Sequence, residues 1–199
     1  MTRLTRVLAA LGAIALLGAF VWPLWSIGLV APQYPEGLGM QIRLTTVQGA
    51  SVNDLRNINQ LNHYIGMKVI DPDAIPELRF MPWAVGGLFV LGLVVAATGK
   101  QKLLVSWVVV LIVGSVAGLA DFWRWTYDYG HDIDVDHAII KIPGTFYQPP
   151  IFGVKQILNF TATSWPAPGG IAVMIGVALA VAAMVLALRS PAARTPVAA

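Results

Sequence analysis

The hydrophobic pattern divides the chain into four long apolar runs separated by polar stretches of very unequal length. Residues 7–30 read VLAALGAIALLGAFVWPLWSIGLV, and residues 82–98, 103–120 and 169–188 repeat the apolar composition. Each run is long enough to cross a hydrocarbon layer of roughly 30 Å. The pattern predicts an all-α membrane protein, a four-transmembrane-helix bundle forming one integral domain over residues 1–199. Two sizeable polar intervals, 31–81 and 121–168, are predicted as loops of mixed short elements. The turn Gly99-Lys100-Gln101-Lys102 joins the second and third runs.

Finer periodicity fills in the intervals. Met40 to Val47 alternates as a short strand does, and Leu55, Ile58 and Leu61 fall at helical spacing behind a predicted N-cap at Ser51. Tyr147-Gln148-Pro149-Pro150 reads as an extended corner. Residues 151–160 after it are predicted as an amphipathic segment on the bilayer surface. Trp123, Trp125, Phe146, Tyr147 and Trp165 make an interfacial aromatic belt. Gly114 and Gly118 form a GxxxG that is predicted to pack within the bundle. Pro23 is predicted to kink the first span, with Trp22 and Trp25 marking its far interface. That run is too long for the apolar core of a cleaved leader, so it is read as an anchor.

Charge fixes an orientation. Arg3, Arg6, Lys100, Lys102, Arg189 and Arg194 fall on one side with no acidic residue among them. All ten carboxylates lie in the two long intervals or at their edges. The positive-inside rule then puts both termini in the cytoplasm and both intervals outside. A net charge of +3 without a basic patch gives no footprint for nucleic acid, leaving the lipid bilayer as the first partner. With no cysteine, disulfides and thiolate sites are excluded.

No span interior carries Lys, Arg, His or Glu, which argues against an ion path or a haem held within the membrane. No Walker loop, GxSxG or HExxH occurs, so the expectation is a protein that is not an enzyme. Chemistry is confined to the polar intervals. His63 and Met67 are four apart and share a face if the helix continues through Gly66. An imidazole with a thioether suits copper, Cu(I) above all. The simpler reading has His63 bonded to loop backbone and Met67 packed on the core. In the second interval His131 and His137 bracket Asp132, Asp134 and Asp136. Extended, those carboxylates would share one face and repel, unless a cation offsets them. The simpler reading there is a solvated acidic loop. The candidate metal residues are therefore His63, Met67, His131, Asp132 and His137.

The wording of both intervals carries a resemblance. LNHYIGM (Leu61 to Met67), YDYGH (Tyr127 to His131) and IKIPGTFYQPPIFGVKQILNF (Ile140 to Phe160) resemble a family of four-span bacterial membrane proteins associated with nitrous oxide reductase gene clusters. The resemblance implies a membrane accessory protein that binds or passes copper during maturation of a periplasmic copper enzyme. Its partners would be a periplasmic copper chaperone or that enzyme. It brings no ligand set, so the candidate residues rest on residue type. The alternative is a non-catalytic structural subunit of a respiratory membrane complex, docking a partner through its aromatic loops.

Overall fold

The computed structural model describes residues 1–141 and 146–189. Four helical stretches are long and apolar enough to cross a membrane: Arg3–Val21, Glu77–Thr98, Gln101–His131 and Pro168–Arg189. The all-α expectation is not met. The end of the first run and the two polar intervals fold into a five-stranded antiparallel sheet in the order β3-β2-β1-β5-β4, giving a mixed helix and sheet protein.

The correction begins at the first run. Its helix is made of α1 (Arg3–Ala15) and α2 (Gly18–Val21), and it ends at Val21 instead of continuing to residue 30. Trp22 is already extended, at φ −113° and ψ 158°. A residue before proline is pushed out of the helical region, and Pro23 follows. The next seven residues, Trp25–Ala31, form β1. A short apolar run of this kind cannot be told from buried helix by periodicity alone.

β1 is the centre of the sheet and the seam between the two intervals. On one side it pairs with β2 (Tyr34–Ile42), Trp25 opposite Ile42. On the other it pairs with β5 (Phe160–Pro166), Trp25 opposite Pro166. β3 (Val47–Gly49) and β4 (Gly153–Ile157) close the two edges. Residues 151–160, expected as an amphipathic segment on the bilayer surface, are mostly strand and belong to the sheet. The expected strand at 40–47 is split between β2 and β3 around a turn.

One amphipathic helix, α3 (Asp54–Tyr64), covers part of the sheet. Ile58 is buried there with Leu38, Met40 and Val47, so Met40 is a core residue. Asn53, rather than Ser51, is the N-cap residue. Asp54 accepts from the Gly39 amide at 2.9 Å and from the Ser51 amide at 3.0 Å while nearly fully buried. Asp54→Ala orphans both amides and is expected to cost about 1–3 kcal/mol for each one left without a partner. The loss is read as a lowered thermal unfolding midpoint in lipid nanodiscs, and an unchanged midpoint would contradict it.

The apolar helices pack through small residues and one tryptophan. α1 and α6 (Pro168–Arg189) meet at Gly12 and Gly176. A Cβ on Gly12 would stand 2.9 Å from the Gly176 carbonyl oxygen, so only glycine allows the approach. Ala9, Ala13, Ala180 and Ala183 line the same seam with no exposed surface. Trp107 is wedged among these helices, its Nε1 donating to the Leu88 carbonyl at 2.9 Å. Gly114 and Gly118 do not serve this packing: a Cβ on either meets nothing within 4 Å among the described residues. The GxxxG faces away from the other described residues.

α4 (Glu77–Thr98) and α5 (Gln101–His131) complete the set. The third run was expected to end at residue 120, yet its helix continues to His131. At 31 residues, α5 is about 46 Å long by its rise per residue. That exceeds a bilayer core of roughly 30 Å. Its last turns therefore run on beside the sheet, carrying Trp123, Tyr127 and His131 with them.

Candidate functional site

The donor-bearing parts of the two intervals meet at a turn built by Gly66. Helix α3 stops at Tyr64, and Gly66 follows at φ +77°, a left-handed conformation that suits glycine. The Gly66 amide donates to the His63 carbonyl at 3.3 Å, and the Met67 amide to the Asn62 carbonyl at 2.9 Å. This bond pair is the Schellman ending of a helix. The helix does not continue through Gly66, so the condition for His63 and Met67 to share one helical face is not met.

The same turn receives the second interval. The Asp134 amide donates to the Gly66 carbonyl at 2.9 Å, and the Ile140 amide to the Tyr64 carbonyl at 2.8 Å. A side chain on Gly66 would run into the Asp134 carbonyl and, at 3.1 Å, the Ala138 Cβ. Lys68 and Asp132 add an ion pair across the junction. Both groups are more than half exposed, so the pair adds little stability and serves mainly as register.

Each candidate residue has a definite place. His63 is exposed on α3 and lines a wide, open groove with Arg56, Asn59, Tyr64 and Ile139. Met67 is half-buried against the cluster of Ile65, Tyr147, Ile157 and Ala162. His131 closes α5, stacked between the rings of Tyr127 at 3.9 Å and Phe146 at 4.4 Å between centroids. Its Nδ1 lies 2.9 Å from the Tyr127 carbonyl oxygen. His137 is highly exposed, with Nδ1 2.8 Å from Asp134 Oδ2. No group of three or more His, Asp or Glu side chains placed to hold a metal ion occurs among the described residues.

The alternation of Asp132, Asp134 and Asp136 is broken by a turn at 135–137. Asp134 caps it, Oδ1 accepting from the His137 amide at 3.1 Å. Asp132 is taken up by Lys68, and the Asp136 carbonyl accepts from Lys141 Nζ at 2.9 Å. The extended acidic face therefore does not form, and of the three carboxylates Asp132 is offset by Lys68 and Asp134 is bonded to His137.

The His137 amide, with its ring N–H second, holds the Asp134 carboxyl below its ordinary value of 3.8. A depressed pKa in the folded state means the turn gains stability above that ordinary value and loses it as pH falls through the lowered one. A carbon-detected NMR titration is expected to place the Asp134 midpoint below 3.8, moving upward in His137→Ala. A midpoint at or above 3.8 in the unaltered protein would contradict the turn.

Comparison with known proteins adds no relative. No protein-family model matches the chain, and no curated protein matches it significantly.

A ring column was legible only in part. Trp123, Tyr127 and His131 lie at successive four-residue steps of α5, and Phe146 extends their stack. The aromatic-belt expectation named Trp123 and Phe146 and left out the imidazole between them. Had α5 been carried past residue 120, the i, i+4, i+8 spacing would have shown the stack. Trp25, Phe122, Phe152 and Trp165 form a second ring group beside the sheet.

Proposed function

We propose that this chain is a membrane accessory protein, with both termini cytoplasmic, whose periplasmic portion binds or passes copper during maturation of a periplasmic copper enzyme such as nitrous oxide reductase. The observation that carries the reading is the junction at Gly66. It brings LNHYIGM and the 131–140 segment into direct hydrogen-bonded contact. These are the stretches that hold all three histidines, and they are separate in sequence. LNHYIGM, together with YDYGH and residues 140–160 on either side of the 132–139 turn, is what resembles the nitrous oxide reductase-associated family. Charge placement supports the orientation, since the sheet lies at the acid-rich ends of the helices.

The test is the copper content of the periplasmic enzyme in cells lacking this chain. A copper-poor enzyme restored by the unaltered chain supports the reading. A fully loaded enzyme in its absence would sink it.

A second reading, a structural subunit docking a partner, is favoured by the exposed rings of Phe146, Phe152 and Trp165. It predicts normal copper loading together with loss of a larger respiratory complex.

A further inference from the structure

We propose that the groove at the outer end of α4 and α5 holds a membrane phospholipid with a primary ammonium headgroup, its phosphate on Arg124 and its ammonium on Asp128. The site is independent of the copper reading. The groove has a volume of about 320 Å³, and its charged and aromatic lining is Lys68, Glu77, Arg124, Trp125, Asp128 and Tyr129. Its depth points to a lipid. The apolar part of α5 ends at Ala120, and 101–120 is about the length that fills a hydrocarbon core. Arg124 then lies one turn further out, at the level of the headgroups. Trp125 and Tyr129 stack beside it at 4.5 Å between centroids, amphipathic rings of the kind enriched at that level.

The charges choose the headgroup. Arg124 stands one turn from Asp128 on α5, a spacing that permits an ion pair. Instead it turns to Asp121 at 2.8 Å and Glu77 at 3.2 Å, both bonds leaving from Nη2. Its Nε and Nη1, and the Asp128 carboxylate, have no partner among the described residues. Lys68 is already paired with Asp132. One guanidinium thus serves three carboxylates, an excess of negative charge that repels an anionic lipid and attracts a cation. Glu77 Oε2 is a further buried acceptor without a partner among the described residues. Acceptors short of donors favour an ammonium with three N–H groups over a quaternary ammonium with none. A zwitterion with phosphate and ammonium close together satisfies Arg124 and Asp128 at once.

The side of α5 beneath the groove has room for an acyl chain. Gly114, Gly118, Asp121, Trp125 and Asp128 follow one another at three- and four-residue steps, so they share a side of the helix. A Cβ on either glycine meets nothing within 4 Å among the described residues, and the neighbouring Ala117 adds only a methyl. A chain can lie close against this strip while its headgroup enters the groove, gaining dispersion contact along the backbone.

The full chain, stripped of lipid in detergent, is titrated with phosphatidylethanolamine, phosphatidylcholine and phosphatidylglycerol of one acyl composition, and bound lipid is counted by native mass spectrometry. One phosphatidylethanolamine is expected to bind about tenfold more tightly than either of the others, the lower end of what one hydrogen bond to a charged group supplies. Asp128 is exposed, so Asp128→Asn is expected to keep the thermal midpoint and lose this preference. Gly118→Leu is expected to weaken all three lipids alike. Soluble glycerophosphoethanolamine, the headgroup without its chains, is expected to leave the bound lipid in place. Equal binding of the three lipids, or a preference that survives Asp128→Asn, would overturn the headgroup assignment. Unchanged binding in Gly118→Leu would overturn the path of the chain, and displacement by glycerophosphoethanolamine would make this a site for a soluble ligand.

Discussion

Trp107→Ala is expected to destabilise the helix bundle by about 3 kcal/mol, at the low end of the range for truncating a buried aromatic side chain. The indole has no exposed surface, and Gly92 is kept free of a side chain so that the ring fits against it. Truncation opens a cavity between α1, α4, α5 and α6. In a bilayer the surrounding lipid is as apolar as the core, so the water-transfer share of the loss shrinks and the packing share remains. Trp107→Phe keeps most of the volume and is expected to cost under about 1.5 kcal/mol. Denaturation in mixed micelles measures both. Gly114→Ala provides the contrast: its Cβ enters open space and is expected to leave the midpoint unchanged or raised. Equal losses at Trp107 and Gly114 would show that the bundle is packed otherwise.

The second large effect is at Gly66. Gly66→Val forces a β-branched residue into the left-handed region, worth about 1–3 kcal/mol of backbone strain. It also drives a side chain into the Asp134 carbonyl. Neither contact can be relieved by a side-chain rotation, because the obstacle is backbone. The expected result is separation of the 131–140 segment from α3. The amides of Asp134 and Ile140, both donors across the junction, should lose their hydrogen-exchange protection. The spans should be untouched, since their packing lies in a different cluster. Retained protection at both amides would show that the junction does not depend on this glycine.

Hydropathy made the four spans legible because a membrane helix needs only length and apolarity, and both are written locally. The sheet was hidden for the same reason. WSIGLVA is apolar throughout and follows a span without a break, so its pairing with Ile42 on one side and Pro166 on the other leaves no local trace. Pro23 was the available signal. A proline there can kink a helix or end it, and the extended Trp22 before it shows that it ends this one. The continuation of α5 beyond Ala120 leaves no hydropathy signal, because Asp121 and Arg124 interrupt the apolar run. In the structure Arg124 instead bonds Asp121 at 2.8 Å and Glu77 at 3.2 Å along a continuing helix.

The candidate residues were found by type and not by arrangement. Residue type marks an imidazole as a possible donor, but only the acceptors at Tyr127 and Asp134 say which nitrogen is free. His63 and Met67 looked paired because a four-residue spacing assumes helix. Gly66 ends that helix, and its significance lies in a contact with Asp134, 68 positions away. A glycine's need for a positive φ is set by what presses on it.

The most direct test of the account is on which side of the membrane the joined intervals lie. The chain has no cysteine, so single Val135→Cys and Gln101→Cys variants carry one thiol each. Val135 is well exposed in the turn beside His137, and Gln101 is the exposed first residue of α5, directly after the turn that follows α4. With a membrane-impermeant maleimide on intact spheroplasts, Val135→Cys should be labelled at once, and Gln101→Cys only after the membrane is opened. Labelling of Gln101→Cys alone in intact spheroplasts would place the sheet and its histidines in the cytoplasm and contradict the account.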